Sequence, residues 1–463
     1  MQAEGLVGVM LGDLADKLRP LGRLDLLETV GDEAMRYLSA ASTSSDAGIG
    51  AIQRARALRT LGEVYVQRQQ TEQAGQAFAE AERTLQQASS DPADLTDLLF
   101  EQGNVAYWLG YLDLQANDLA GAGQHFGDYL VHAEALQAIT TESGLGLLET
   151  SYALNNLGTV AEAEGNRIDA IKFYESSIDL KKAALRIDPS NDEAIIGLAD
   201  SLSWIGSALL RDNRPAAAQT RFAEQLTLVR DVRQRRPGEA SWLWYEGIAQ
   251  QFLGRVAVAM GDQDGLNELR SASNLLEEAV RSDPSNMTWK TDFYSVRTEL
   301  GWSRLVLGTA DVGLQELTRV LRQLQADDID HFGQHSRAQA KVKSRLAFGF
   351  ALLGKLAPAE TMLEELNSAR TTEAESGESP LSEFDRELLA LSASVVARQA
   401  PDATPLLRTG QGGRVPSEDE LQFSALRAGL RGDRSELKRI QDVLGGFGYD
   451  AVRADRLLRL GKL

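Results

Sequence analysis

The chain has 463 residues, 43% hydrophobic and 25% charged, and carries a formal charge of −19 from 48 basic and 67 acidic side chains. That is enough apolar material for a core, and the acidic surface repels phosphate, so nucleic acid and anionic membrane are excluded as favoured partners and neutral or basic ones fit better. Cysteine is absent, which excludes disulfides, thiolate zinc sites and a cysteine nucleophile but suits cytoplasm and periplasm equally.

Residues 9–38 read as two helical segments broken at Pro20-Leu21-Gly22, with Asp25 placed to cap the second. "ASTSSDAGIG" (41–50) is a linker by composition. The run "GLVGVMLG" (5–12) has no basic segment before it and is far short of the roughly 18 apolar residues of a membrane span, so neither a signal peptide nor a membrane helix is predicted. Residues 1–50 are therefore expected to form a helical pair and a linker.

A repeat follows. An apolar residue precedes glycine at Gly62, Gly110, Gly158, Gly206, Gly254 and Gly301, with spacings of 48, 48, 48, 48 and 47. Twelve residues after the first four glycines stand Ala74, Ala122, Ala170 and Ala218, and four further on Phe78, Phe126, Tyr174 and Phe222. A polar break separates the two sets, as in "EGNRID". Glycine inside a helix costs roughly 1 kcal/mol against alanine, so its return needs a packing reason. The expectation is two antiparallel helices brought close by Gly and Ala, with the aromatic filling the space between repeats. Each helix is near 20 residues, about 30 Å. The repeat at Gly254 reads as carrying about six extra residues before Ala272, Leu276 and Ala279. At Gly301, Gly313 and Leu317 take the small and large places, and a faint seventh repeat near Phe350 uses Ala359 and Leu363. Beyond 370, polar connectors (370–385 and 400–420) separate expected helices at 382–399, 418–430 and 434–444, a degenerate or capping repeat within 371–463.

Leu157, Gly158, Gly165, Ala170 and Tyr174, with the "DPSN" breaks at 188–191 and 283–286, resemble the tetratricopeptide-repeat pattern, though that repeat is usually about 34 residues. The resemblance covers roughly residues 51–370 and implies an all-α fold, a right-handed superhelical solenoid of antiparallel helix pairs with long TPR-like repeats. The stretch from Glu4 to Leu38 is similar to the segment that opens such arrays in multidomain bacterial signalling proteins, which implies the sensing half of a longer protein.

Candidate chemistry is sparse. His331 and His335 stand four apart near Asp327, Asp328 and Asp330, but "DDIDHFGQH" reads as a solvated loop between repeats. His125, Asp128 and His132 share a helical face. "GQGG" (410–413) lacks the Gly-Lys-Ser/Thr of a phosphate loop. No catalytic residue, metal or cofactor is expected.

In tetratricopeptide proteins the positions three before, one after and four after the repeat glycine face a groove. This resemblance nominates Tyr107, Tyr111, Asn155, Thr159, Ser203, Ser207, Gln251, Arg255, Thr298 and Trp302 as groove residues, beside Arg59 and Glu63. The stripe offers Asn155 and Arg255 but no lysine, which disfavours capture of a peptide C-terminus. "SWLWYEG" (241–247) is expected to fill a gap between long helices. The expected function is a non-enzymatic protein- or peptide-binding scaffold, the sensor or assembly region of a bacterial signalling or defence protein. The alternatives are a self-association module and, further off, a metal-dependent enzyme module.

Overall fold

The computed structural model describes residues 49–88, 92, 94–307, 309–327, 334–373, 383–396, 424–425, 427–428, 433–447 and 449. The expected N-terminal helical pair, His331, the "GQGG" stretch and most of both connectors lie outside them. The regular elements among the described residues are all α-helices, and none of those residues is in a strand. They fall into two compact units, Met1–Ser201 and Leu202–Leu463.

The first unit holds α1 (Ile49–Gln67), α2 (Thr71–Gln86), α3 (Leu95–Gln115), α4 (Leu119–Ile139), α5 (Leu145–Ala163), α6 (Arg167–Ile187) and the first half of α7 (Asp192–Arg211). The second continues with α8 (Pro215–Arg235), α9 (Ala240–Ala259), α10 (Gly265–Ser282), α11 (Met287–Val306), α12 (Ala310–Ala326), α13 (Gln334–Leu352), α14 (Leu356–Glu373), α15 (Glu383–Val396) and α16 (Arg434–Gly446). From α1 to α6, and again from α8 to α15, each helix packs on the next in sequence. This is the neighbour-only packing of a TPR-like solenoid.

The glycines explain the period. A Cβ built on Gly62 would lie 2.4 Å from the Phe78 ring; on Gly110, 2.8 Å from Phe126; on Gly158, 2.6 Å from Tyr174; on Gly206, 2.4 Å from Phe222. The aromatic therefore covers the glycine of its own hairpin, rather than only filling the gap to the next. Its other side meets the following repeat: Phe78 stacks on Trp108 at 5.6 Å and Phe222 on Phe252 at 5.1 Å. Ala74, Ala122, Ala170 and Ala218 are fully buried.

Two later repeats differ from the sequence expectation. Gly254 is met by Leu269 and by the carbonyl of Gly265, so Gly265 and Leu269 hold the small and large places, and the expected six-residue insertion does not exist. They stand one position earlier than in the other repeats, which is why the spacing drops to 47 at this point alone. The spacing of 48 then resumes at Gly349. A Cβ there would strike Leu305 and Leu314 of the preceding repeat, so this glycine serves the contact between hairpins.

Turns follow local chemistry. Gln69, Asn117, Gly165, Asn213 and Gly261 all take positive φ seven residues after their repeat glycine, a conformation favoured by Gly and tolerated by Asn. Both "DPSN" breaks fold alike. Asp188 and Asp283 accept from the backbone N–H of Ser190 and Ser285, and Asn191 and Asn286 cap the next helix through Ala194 N (3.0 Å) and Trp289 N (3.2 Å). By length and hydropathy α7 is apolar enough to cross a membrane, yet 61% of its apolar window is buried in the fold, and it carries Asp192, Glu193, Asp200 and Arg211. It reads as a core helix. The last described segment returns to the ends of α7 and α9: Tyr449 Oη donates to the Leu210 carbonyl at 3.2 Å, and Ala259 packs with Ala425, Ile440 and Leu444.

Candidate functional site: the face of the first helices

Within each unit, first helices of successive repeats touch: α1 with α3, α3 with α5, α9 with α11, α11 with α13 and α13 with α15. Second helices of successive repeats approach one another less. Each unit thus bends toward its first helices, the face on which the sequence placed its candidates.

In the first unit that face is laced by ion pairs. Glu101, fully buried, accepts from Arg56 Nε at 2.5 Å and from Arg59 Nε at 2.9 Å. Glu63 pairs with Arg59 and accepts from Trp108 Nε1 at 3.1 Å. These bonds tie α1 to α3, so Arg59 and Glu63 serve the array. Tyr107 and Tyr111 are half-buried among Trp108, Phe126 and Tyr129, with ring centroids 5.1 to 6.4 Å apart. Among the described residues neither hydroxyl has a hydrogen-bond partner, and burial, with Tyr111 and Glu63 nearby, raises the Tyr107 phenol. Asn155 is buried and spends its amide on Ser201 of α7, at 3.0 Å. Thr159 is exposed.

In the second unit Ser203, Ser207 and Gln251 are half-buried and Arg255 is exposed, its guanidinium 5.7 Å from the Phe252 ring. Thr298 is buried and returns its hydroxyl to the Tyr294 carbonyl at 2.7 Å. Trp302 is buried too, 5.9 Å from Phe348 and beneath the Arg345 guanidinium at 5.6 Å. Asn155 and Trp302 therefore act in packing between repeats, and Thr298 is spent within its own helix. Tyr107, Tyr111, Thr159, Ser203, Ser207, Gln251 and Arg255 keep surface.

The aromatic run "SWLWYEG" does pack between repeats. Trp242 is buried, and Trp244 donates to Asp292 of α11 at 2.7 Å. His125 bonds Asp113 through Nδ1 at 2.6 Å, and burial lowers the His132 imidazole against the pull of Asp128. No group of three His, Asp or Glu side chains among the described residues is placed to hold a metal ion.

Sequence reasoning missed a buried polar cluster in the first unit. Lys181 on α6 is fully buried, its Nζ 2.7 Å from Ser177 Oγ and 4.7 Å from the Tyr152 ring. Burial pushes it down to about 7, opposed by Asp200, which burial raises to about 6. Nearby Glu149, bonded by Tyr129 Oη at 2.6 Å, is raised by burial to about 7. One signal was available: Leu85, Ala133 and Val229 hold the positions equivalent to Lys181 in other repeats, so a lysine there is out of pattern. Gly197 makes the room, since a Cβ would lie 2.9 Å from Lys181 Cε.

No protein-family model matches the chain, and no curated protein does. Solved structures that match include the apo form of RapI, 12% identical over 88% of this chain and 96% of that one, at TM-score 0.46. Another is NprR in complex with its cognate peptide NprX, 11% identical over 91% and 100%, at 0.37. A third is a tetratricopeptide repeat protein from Parabacteroides merdae ATCC 43184, 13% identical over 78% and 100%, at 0.36. The likeness is loose, and the fold assignment rests on the hairpin packing described above.

Proposed function

We propose that the chain is a non-enzymatic scaffold that binds a protein or peptide along its first helices, within a repeat array of residues 51–370 flanked by 1–50 and 371–463. By the resemblance of its N-terminal stretch, it serves as the sensor or assembly region of a bacterial signalling or defence protein. One observation carries this reading. The face toward which each unit bends keeps aromatic and cationic groups that have no polar partner among the described residues: the Tyr107 and Tyr111 hydroxyls and the Arg255 guanidinium. Such groups are what interface anchors are made of. The net charge of −19 favours ligands of neutral or basic overall character.

The test is selection from a displayed random-peptide library, using the whole chain and the Tyr107→Ala/Tyr111→Ala/Arg255→Ala variant, with far-UV circular dichroism to show that both are folded. A consensus enriched by the wild type and lost by the variant is expected. Identical enrichment by both, or none by either, overturns the groove assignment. A second reading, self-association, is favoured by exposed Val131 (63%), Ile168 (68%) and Ile187 (43%) on second helices. Light scattering over a concentration series separates the two, because a chain that stays monomeric removes the second.

A further inference from the structure

Two successive repeats treat the same buried glutamate differently. Glu101 and Glu149 each stand nine residues before a repeat glycine, Gly110 and Gly158. Both lie on first helices, and α3 packs on α1 as α5 packs on α3. Glu101 is fully buried and holds two guanidiniums of the preceding first helix, Arg56 and Arg59. One period of 48 residues later, Asn104 and Tyr107 replace those arginines. Asn104 turns back on its own helix, its amide 2.8 Å from the Phe100 carbonyl. Tyr107 has no positive charge to offer.

Glu149 is nonetheless only 7% exposed. Its Oε2 accepts from Tyr129 Oη at 2.6 Å. Among the described residues Oε1 accepts from nothing, and no cation pairs with the carboxylate. Aromatic rings surround this place. Tyr129 of α4 lies edge-on to Tyr107, with ring centroids 6.1 Å apart. Tyr152 follows Glu149 by one turn on the same face of α5, and it packs, as Tyr107 does, on the cluster of Tyr129, Ala133 and Ala153. The Tyr152 hydroxyl donates to Glu193 of α7 at 3.2 Å. Tyr107 and Tyr152 are half-buried and Glu193 is exposed, so these rings reach solvent.

The charges around Glu149 do not replace the missing arginines. Burial raises its pKa to about 7; Glu193 adds to the rise, while the Tyr129 bond and Arg59 oppose it. Arg59 is itself held by Glu101 and Glu63. Lys181 lies over the Tyr152 ring, where Asp200 favours its charge. A buried carboxylate without a counter-ion is costly, and a cation that reaches it removes that cost. Tyrosine rings add cation–π attraction. The first two repeats supply the cation from within the chain, and the next leaves its place to an outside group.

We propose that Glu149, framed by Tyr107, Tyr129 and Tyr152 with Glu193 at its edge, is a slot that takes one guanidinium or ammonium group of the ligand. The bound cation does for Glu149 what Arg59 does for Glu101. Only the claim that this cation is a basic side chain of a peptide rests on the function proposed above.

The test is thermal unfolding of the full chain at pH 8, where Glu149 is ionised. It is run in n-butylguanidinium chloride, and separately in n-butylammonium chloride, each against sodium chloride at matched ionic strength. It compares the wild type with Glu149→Gln and Tyr107→Arg, so that general effects of the salts cancel between chains. A cation that binds only the folded chain raises Tm with concentration. At saturation the wild type should gain about 2 °C or more over Glu149→Gln. Tyr107→Arg fills the slot from within, as Arg59 does at Glu101, and should lose the response. A gain with butylguanidinium alone assigns an arginine-like group, and a gain with butylammonium assigns a lysine-like one. No gain over Glu149→Gln in either salt, or an equal gain in Tyr107→Arg, overturns the site. Glu149→Gln keeps an acceptor for Tyr129, so it decides the matter even if Tyr107→Arg fails to fold. If the response to these cations persists while peptide selection fails, the site stands and the peptide reading falls.

Discussion

The packing explanation of the 48-residue period can be tested inside one hairpin. Gly110 on α3 and Gly127 on α4 are both helical glycines. A Cβ at Gly110 would lie 2.8 Å from two carbons of the buried Phe126 ring, whereas at Gly127 it would meet nothing within 4 Å. Gly→Ala in a helix gains roughly 1 kcal/mol at either place from propensity. At Gly110 that gain is set against overpacking, about 1–3 kcal/mol when a filled core must shift. Gly127→Ala should therefore raise stability by about 1 kcal/mol, and Gly110→Ala should leave it unchanged or lower it by up to about 2 kcal/mol. Propensity cancels in the difference between the two, leaving about 1–3 kcal/mol of packing. Urea unfolding followed by far-UV circular dichroism measures both. Adding Phe126→Leu to Gly110→Ala should recover part of the loss, by vacating the ring's place. Equal stability of the two alanine variants would refute the idea that the repeated glycine exists to seat the aromatic.

Gln69 holds positive φ without being glycine, so Gln69→Gly should raise the urea midpoint, by up to about 1 kcal/mol in stability. Glu101→Gln leaves Arg56 and Arg59 without their shared carboxylate and should cost roughly 3 kcal/mol by the same measurement. Lys181 has a folded pKa of about 7, below its ordinary value of 10.5. The unfolded chain therefore binds the extra proton between these limits, and the stability present at high pH is lost as pH falls toward 7. Between pH 10 and pH 7 the wild type should lose stability relative to Lys181→Met, and parallel pH profiles would count against a buried lysine. Glu149 runs the other way. Its folded pKa is raised to about 7, so it contributes stability at pH 4 that is lost as pH rises through 7, and Glu149→Gln should flatten that limb.

The hairpins were legible because their determinants are local. Gly62 and Phe78, or Gly158 and Tyr174, are sixteen residues apart, and their spacing alone tells which faces must meet. The repeat at Gly254 was misread because Ala272 and Leu276 imitate the small and large pattern. Only the contact of Gly254 with Gly265 and Leu269 shows the true register. The groove was legible as a set of positions but not as a set of available side chains. Asn155, Thr298 and Trp302 sit on the same stripe as Tyr111 and Arg255, yet their exposure depends on Ser201, Tyr294 and Phe348. Two of those three partners belong to the next repeat.

By itself the sequence determined helix pairing, turn positions and neighbour-only stacking, because each is settled within one period by sterics and backbone preference. Only the tertiary structure decided where charge is left uncompensated. Lys181 looks like an ordinary helical lysine until the fold shows it fully buried against the Tyr152 ring of the facing helix. Electrostatic energy depends on distance through space and on burial, and neither is a function of spacing along the chain.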